Sequence, residues 1–157
     1  MKAKLLFVVV PAAFLILGNG VATAGQTIDQ AGAFACVADK WDETEPEKGH
    51  KLVEMAARCV TIPDDPAAPK YTTDCVGKYE FMPDESWKGS GNCTWNFKGG
   101  DKVYETFEEG SHLKEYLYKI TGGAGKYEGA SGSGTYTFEN LTDTLGAGRF
   151  KGKLELP

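Results

Sequence analysis

The chain has 157 residues, 41% of them hydrophobic and 25% charged, with a formal net charge of −5. That length supports a single core. The acidic balance, with no basic stripe interleaved with aromatics, argues against nucleic acid or an anionic membrane surface as a partner.

Residues 1–24 read as a signal peptide. Lys2 and Lys4 give a positive start, LLFVVVPAAFLILG an apolar run, and Ala22-Thr23-Ala24 a small-residue cleavage pattern. No other long apolar stretch follows, so no membrane insertion is expected once the leader is removed. The remainder, residues 25–157, is one domain's worth of chain, secreted or periplasmic. It holds all four cysteines, Cys36, Cys59, Cys75 and Cys93, an even number that fits two disulfides. Their spacing is too wide for a zinc knuckle, and His50 and His112 are the only imidazoles, so neither metal nor cofactor is expected.

Residues 25–32 are polar and read as a loosely ordered lead-in, and AFACVADKW as the first strand. DETEPEKGH, acidic and interrupted by proline, reads as a solvated loop. KLVEMAARCVTI mixes helix-favouring and strand-favouring residues; its place between two strands and its cysteine make it a strand. PDDPAAPK is a loop, because each proline fixes φ and removes a donor.

A meander follows. YTTDCVGKYEF places Cys75, Tyr79 and Phe81 on one face, and GNCTWNFK places Cys93, Trp95 and Phe97 on one face. Such period-two patterns mark strands with one buried and one wet side. Cysteines on the apolar faces of successive strands favour a Cys75–Cys93 bridge, leaving Cys36–Cys59. DKVYETFEE sets Val103, Glu105 and Phe107 opposite Tyr104 and Thr106. HLKEYLYKI sets Tyr116, Tyr118 and Ile120 opposite Glu115, Leu117 and Lys119. ITGGAGKYEGASGSGTY then supplies six glycines in two bursts. It lacks GxxxxGK[ST] and GxGxxG, so it reads as a corner between strands rather than a phosphate cradle. G-[KR]-aromatic-x-G occurs there and again in GAGRFKGKLEL, and reads as one bent-strand solution used twice. The total is about eight strands and no helix: an all-β, single eight-stranded antiparallel up-and-down barrel, whose hydrophobic interior admits side chains or one small ligand.

The segment YLYKITGGAGKYEGASGSGTY resembles the signature of the allene oxide cyclase barrel superfamily, which includes plant dirigent proteins and exported bacterial proteins. GGDKVYETFEEG resembles the strand two elements earlier in those proteins, and the likeness covers residues 99–138. The lipocalins, a second eight-stranded family, carry a first-strand G-x-W, whereas Trp41 here ends its strand without the glycine. The resemblance implies a barrel with a hydrophobic cavity, acidic residues at that cavity, and a homo-oligomer as one option. By position, ACVADKWDE corresponds to the strand carrying the plant cyclases' carboxylate, which makes Asp39 the nearest acid, with Trp41 where a polar partner would stand.

Glu105 is the leading candidate acid, because it shares a face with Val103 and Phe107. If that face is the inner one, desolvation raises its pKa, as a general acid or ligand-orienting group requires. Alternation alone leaves open whether Tyr104 and Thr106 face inward instead. Tyr79, Trp95, Phe97, Tyr116, Tyr118 and Tyr136 are candidate ligand-binding aromatics, with core packing as their simpler role. No Ser/His/Asp or Cys/His constellation is visible, which disfavours covalent catalysis. These residues point to a barrel that binds a small apolar or aromatic ligand. A cofactor-free cyclase or isomerase using Glu105 or Asp39 is the alternative, and a solidly packed structural barrel of the cell envelope, binding protein through an outer patch near Leu117 and Leu141, is the third. Cavity volume separates the third from the first two.

Overall fold

The computed structural model describes residues 25–157; the leader read over residues 1–24 lies outside them. Eight strands run β1 Gln26–Glu47, β2 His50–Pro63, β3 Tyr71–Phe81, β4 Trp87–Phe97, β5 Lys102–Gly110, β6 Tyr116–Ala124, β7 Ser131–Asn140 and β8 Leu145–Leu156. Every neighbour in sequence is an antiparallel neighbour in space, and β8 returns to pair with β1, so the sheet is a closed barrel. Closure removes the exposed edges that an open sheet this twisted would present. Among the described residues, no helix is long and apolar enough to cross a membrane.

The alternation read from the sequence sets the two faces. Val103, Phe107, Tyr118, Ile120, Cys93 and Trp95 are buried, while Tyr104 and Leu117 stand exposed outside. Cys36 pairs across strands with Cys59, and Cys75 with Cys93, and both pairs are bridged.

Three readings are corrected. Residues 26–32 belong to β1, not to a loose lead-in, because they pair with residues 150–156 of β8. The acidic run after Trp41 is also strand as far as Glu47. There Glu43 pairs with Val53 and Thr44 with Leu52, and Lys51 reaches Glu43 at 2.7 Å, so cross-strand hydrogen bonds and opposite charges hold a ribbon that burial does not. The two G-[KR]-aromatic-x-G copies adopt different structures. The first forms a 3-10 turn, Gly125–Tyr127, entered at a left-handed Gly125 (φ 68°), while the second lies within β8. In that second copy Gly148 leaves room for the ring of Phe34.

The first copy is the corner that turns β6 into β7. Asp101, from the β4–β5 turn, accepts a hydrogen bond from the Lys126 backbone N–H at 3.1 Å, and a Cβ on Gly125 would collide with its carboxylate. The two stretches quoted for the family resemblance therefore meet at one end of the barrel.

That end is packed solid. Val103, Ile120 and Leu154 are at most 2% exposed. They lie with Tyr71, Phe97, Tyr127 and Ala130 in one cluster. Trp95, Tyr71, Phe97 and Tyr127 form a column, with successive ring centroids 4.8, 4.9 and 4.6 Å apart. The column plugs the barrel beneath its midline, and the opposite half stays open.

Candidate functional site

The open half encloses a cavity of about 480 Å³, within the size range of small-molecule sites. Its floor rests on the plug. Both disulfides face it from the β1–β2 and β3–β4 pairs, with Trp95 and Glu105 beside them. Its mouth is rimmed by Trp41, Phe81, Trp87 and the β7–β8 turn with Asp143 and Thr144.

β5 carries the chemistry. Its inward residues rise from the plug as Val103, Glu105, Phe107 and Glu109, a consequence of the two-residue period. Glu105 thus faces inward, beside its cross-strand partner Cys93. Its Oε2 accepts a hydrogen bond from the Trp95 indole N–H at 2.7 Å. Its Oε1 has no hydrogen-bond partner among the described residues, on a side chain that lines the cavity. Burial pushes the Glu105 carboxyl up to about 7, only partly opposed by the Trp95 bond. A carboxyl so placed exchanges its proton near neutral pH and has one oxygen free to meet a ligand.

Glu109 was not singled out by the sequence, although it continues the same alternation. It sits four residues on, nearer the mouth, and is 9% exposed. Tyr79 donates to its Oε2 at 2.9 Å and Tyr136 to its Oε1 at 2.6 Å. Burial raises the Glu109 carboxyl, while the two phenol bonds pull it down. Both phenols are raised, by burial first and then by the Glu109 charge.

Tyr79, Trp95, Glu105, Tyr116, Tyr118 and Tyr136 all line this cavity. Two other candidates do not. Phe97 belongs to the plug, packed between the tilted rings of Tyr71 and Tyr127. Asp39 lies outside the barrel, where Arg58 donates to its two carboxylate oxygens at 2.6 and 2.8 Å and holds its pKa below the usual carboxylate value. The side of the first strand that faces the cavity is represented instead by Phe34, Cys36, Ala38 and Trp41. The Tyr118 hydroxyl is buried without a partner, its ring laid over Gly134 and its oxygen against Gly152, where any side chain would displace it. Among the described residues no cluster of histidine, cysteine and acidic side chains could hold a metal ion.

No protein-family model and no curated protein sequence matches the chain. Solved structures do. The pterocarpan synthase dirigent protein GePTS1 aligns with a TM-score of 0.53 at 11% identity, over 85% of this chain and 86% of that one. The pterocarpan synthase dirigent protein PsPTS1 aligns with 0.53 at 11% identity, over 83% and 96%. A protein of unknown function from the DUF3224 family of Shewanella oneidensis aligns with 0.54 at 12% identity, over 81% and 96%. At such identities the likeness is one of architecture. The chain has the dirigent-type, allene oxide cyclase-like barrel fold, with its lower half packed and its upper half hollow.

Proposed function

We propose that this is an exported, disulfide-stapled barrel that binds one small, flat, largely apolar ligand in its upper half and orients it by a hydrogen bond to Glu105. The observation that carries the reading is the free Glu105 Oε1 on the floor of an aromatic cavity of about 480 Å³. A closed barrel gains packing energy by filling its interior, so a hollow half lined with rings and buried carboxylates favours a binding role. The two disulfides support an oxidising compartment. The fold's likeness to two proteins named as pterocarpan synthase dirigent proteins supports an aromatic ligand.

Titrating the protein with phenolics, terpenoids and fatty acids while following tryptophan fluorescence tests this. Saturable quenching is expected from at least one flat aromatic class. Glu105→Gln should weaken the members that carry a hydroxyl or carbonyl about tenfold, the loss of one good hydrogen bond, and leave purely hydrocarbon analogues unchanged. A flat titration across all three classes removes the reading.

A second reading, a cofactor-free cyclase or isomerase, is favoured by the Glu105 carboxyl itself. With its pKa near 7, it has both proton forms at hand at neutral pH, as general acid–base catalysis needs. On this reading Glu105→Gln would abolish turnover while changing ligand affinity far less.

A further inference from the structure

Glu109 differs from Glu105 in having no free oxygen. Each of its two carboxylate oxygens is taken by a phenol, and the two phenols come from opposite walls. In the ring of eight strands, β3 and β7 lie four positions apart, with β5 midway between them. Tyr79 of β3 and Tyr136 of β7 therefore reach toward each other over the lumen and meet on the carboxylate of Glu109 of β5. On β5 this bridge stands two inward positions above Glu105, so it crosses the cavity between the mouth and the floor.

Each phenol also anchors a set of rings. Tyr79 packs against Trp41 at 5.6 Å and Trp87 at 6.1 Å between ring centroids. Tyr136 packs against Tyr116 at 5.5 Å and Phe34 at 6.0 Å. Trp87 and Tyr116 close the arc at 5.8 Å. The three bridging side chains thus hold a collar of rings that runs from Trp41 and Trp87 on the rim of the mouth to Tyr116 and Phe34 on the other wall.

We propose that Glu109 is a positioning residue that, by gathering the Tyr79 and Tyr136 hydroxyls, fixes the width of the passage to the Glu105 floor and so the girth of the ligand admitted. The proposal rests on the ligand-binding reading for its biological meaning, but its physical content does not need a ligand. A carboxylate accepting two phenol bonds in a poorly hydrated site is a stronger clamp than either bond alone. Without it the two aromatic sets are free to move apart.

Trp95 sits on the floor, below the collar, and reports passage directly. In a Trp41→Phe/Trp87→Phe background, collisional quenching of Trp95 is measured with acrylamide and with the bulkier succinimide, for the parent, Tyr79→Phe/Tyr136→Phe and Glu109→Gln. Loosening the collar should raise succinimide quenching about three- to tenfold, the shift that losing one ordinary hydrogen bond gives an opening equilibrium, and acrylamide quenching by less. General loosening would raise both equally, and that result would overturn the proposal, as would unchanged quenching in folded variants. If the double tyrosine variant does not fold, Glu109→Gln, which keeps the side chain's size, decides alone. Binding of 2-naphthol is followed in parallel. A size-dependent change in quenching with no 2-naphthol binding keeps the collar and counts against the ligand reading. Binding of 2-naphthol without any size-dependent change keeps the ligand reading and rejects the collar.

Discussion

The two halves of this barrel are built from the same strands, yet they solve opposite problems. Below Glu105 every inward position is filled, and the aromatic column from Trp95 to Tyr127 leaves Val103, Ile120 and Leu154 essentially without solvent contact. From Glu105 upward the inward positions carry rings and two carboxylates, which surround a cavity of about 480 Å³ instead of filling the interior. The lower half holds the barrel closed, so the upper half is free to stay hollow and to bury ionisable groups. A single alternating pattern thus encodes both a core and a site, and height along the strand decides which one a residue joins.

The lower half is expected to be the energetic anchor. Ile120→Ala should cost about 3 kcal/mol, because the deletion leaves a void that rigid strands cannot close. Met55→Ala, on the cavity wall, should cost about 1 kcal/mol, since its side chain already borders empty space. Paired denaturant titrations measure both, and equal losses would mean that the halves are not energetically distinct.

The same difference in height explains what the residues disclosed in advance. The eight strands, their two faces and the cysteine pairing follow from alternation and turn chemistry, which are local. Phe97 and Trp95 are adjacent inward positions of one strand, and nothing local tells that one enters the plug and the other the cavity floor. That depends on register around the ring. Glu109 stayed hidden because its meaning lies in Tyr79 and Tyr136, each about 30 residues away in sequence and two strands away in space. The acidic run after Trp41 misled for a different reason, since a paired ribbon projecting beyond the core needs cross-strand partners but no apolar face. The apolar residues left outside, among them Val60 at 53% and Ile62 at 51% exposure, lie on the first strands rather than near Leu117 and Leu141 alone.

A smaller effect is expected from the charge buried in the upper half. In the folded protein Glu105 titrates at about 7 rather than at its ordinary 4.5. The native state therefore holds a proton that the unfolded chain has already lost. The stability this group contributes is fully present below about pH 4.5, is lost as pH rises through the window up to about 7, and changes no further above it. Because the carboxyl borders the open cavity, the loss should be roughly 1–3 kcal/mol rather than the larger cost of a fully enclosed charge. Glu109, also raised, acts in the same direction. Glu105→Gln should flatten most of this slope while keeping an acceptor for Trp95. Melting temperatures from pH 4 to pH 8 would show it, and an unchanged slope would place the titration on another group.

The least effect should come from the carboxylate on the other side of the wall. Asp39 and Glu105 are both acids on strands of the same barrel, but Asp39 points outward to Arg58, in a fully solvated pair. Such a pair sits in high dielectric and is screened by salt, so removing one partner changes little. Asp39→Asn should leave the melting temperature, its pH dependence and any ligand titration where they are, whereas Glu105→Gln should move the last two. If Asp39→Asn instead shifted ligand affinity, the barrel wall would be transmitting a change across the sheet at that point. The β-bulge between Ala38 and Lys40, where Asp39 sits, would then be the element to alter next.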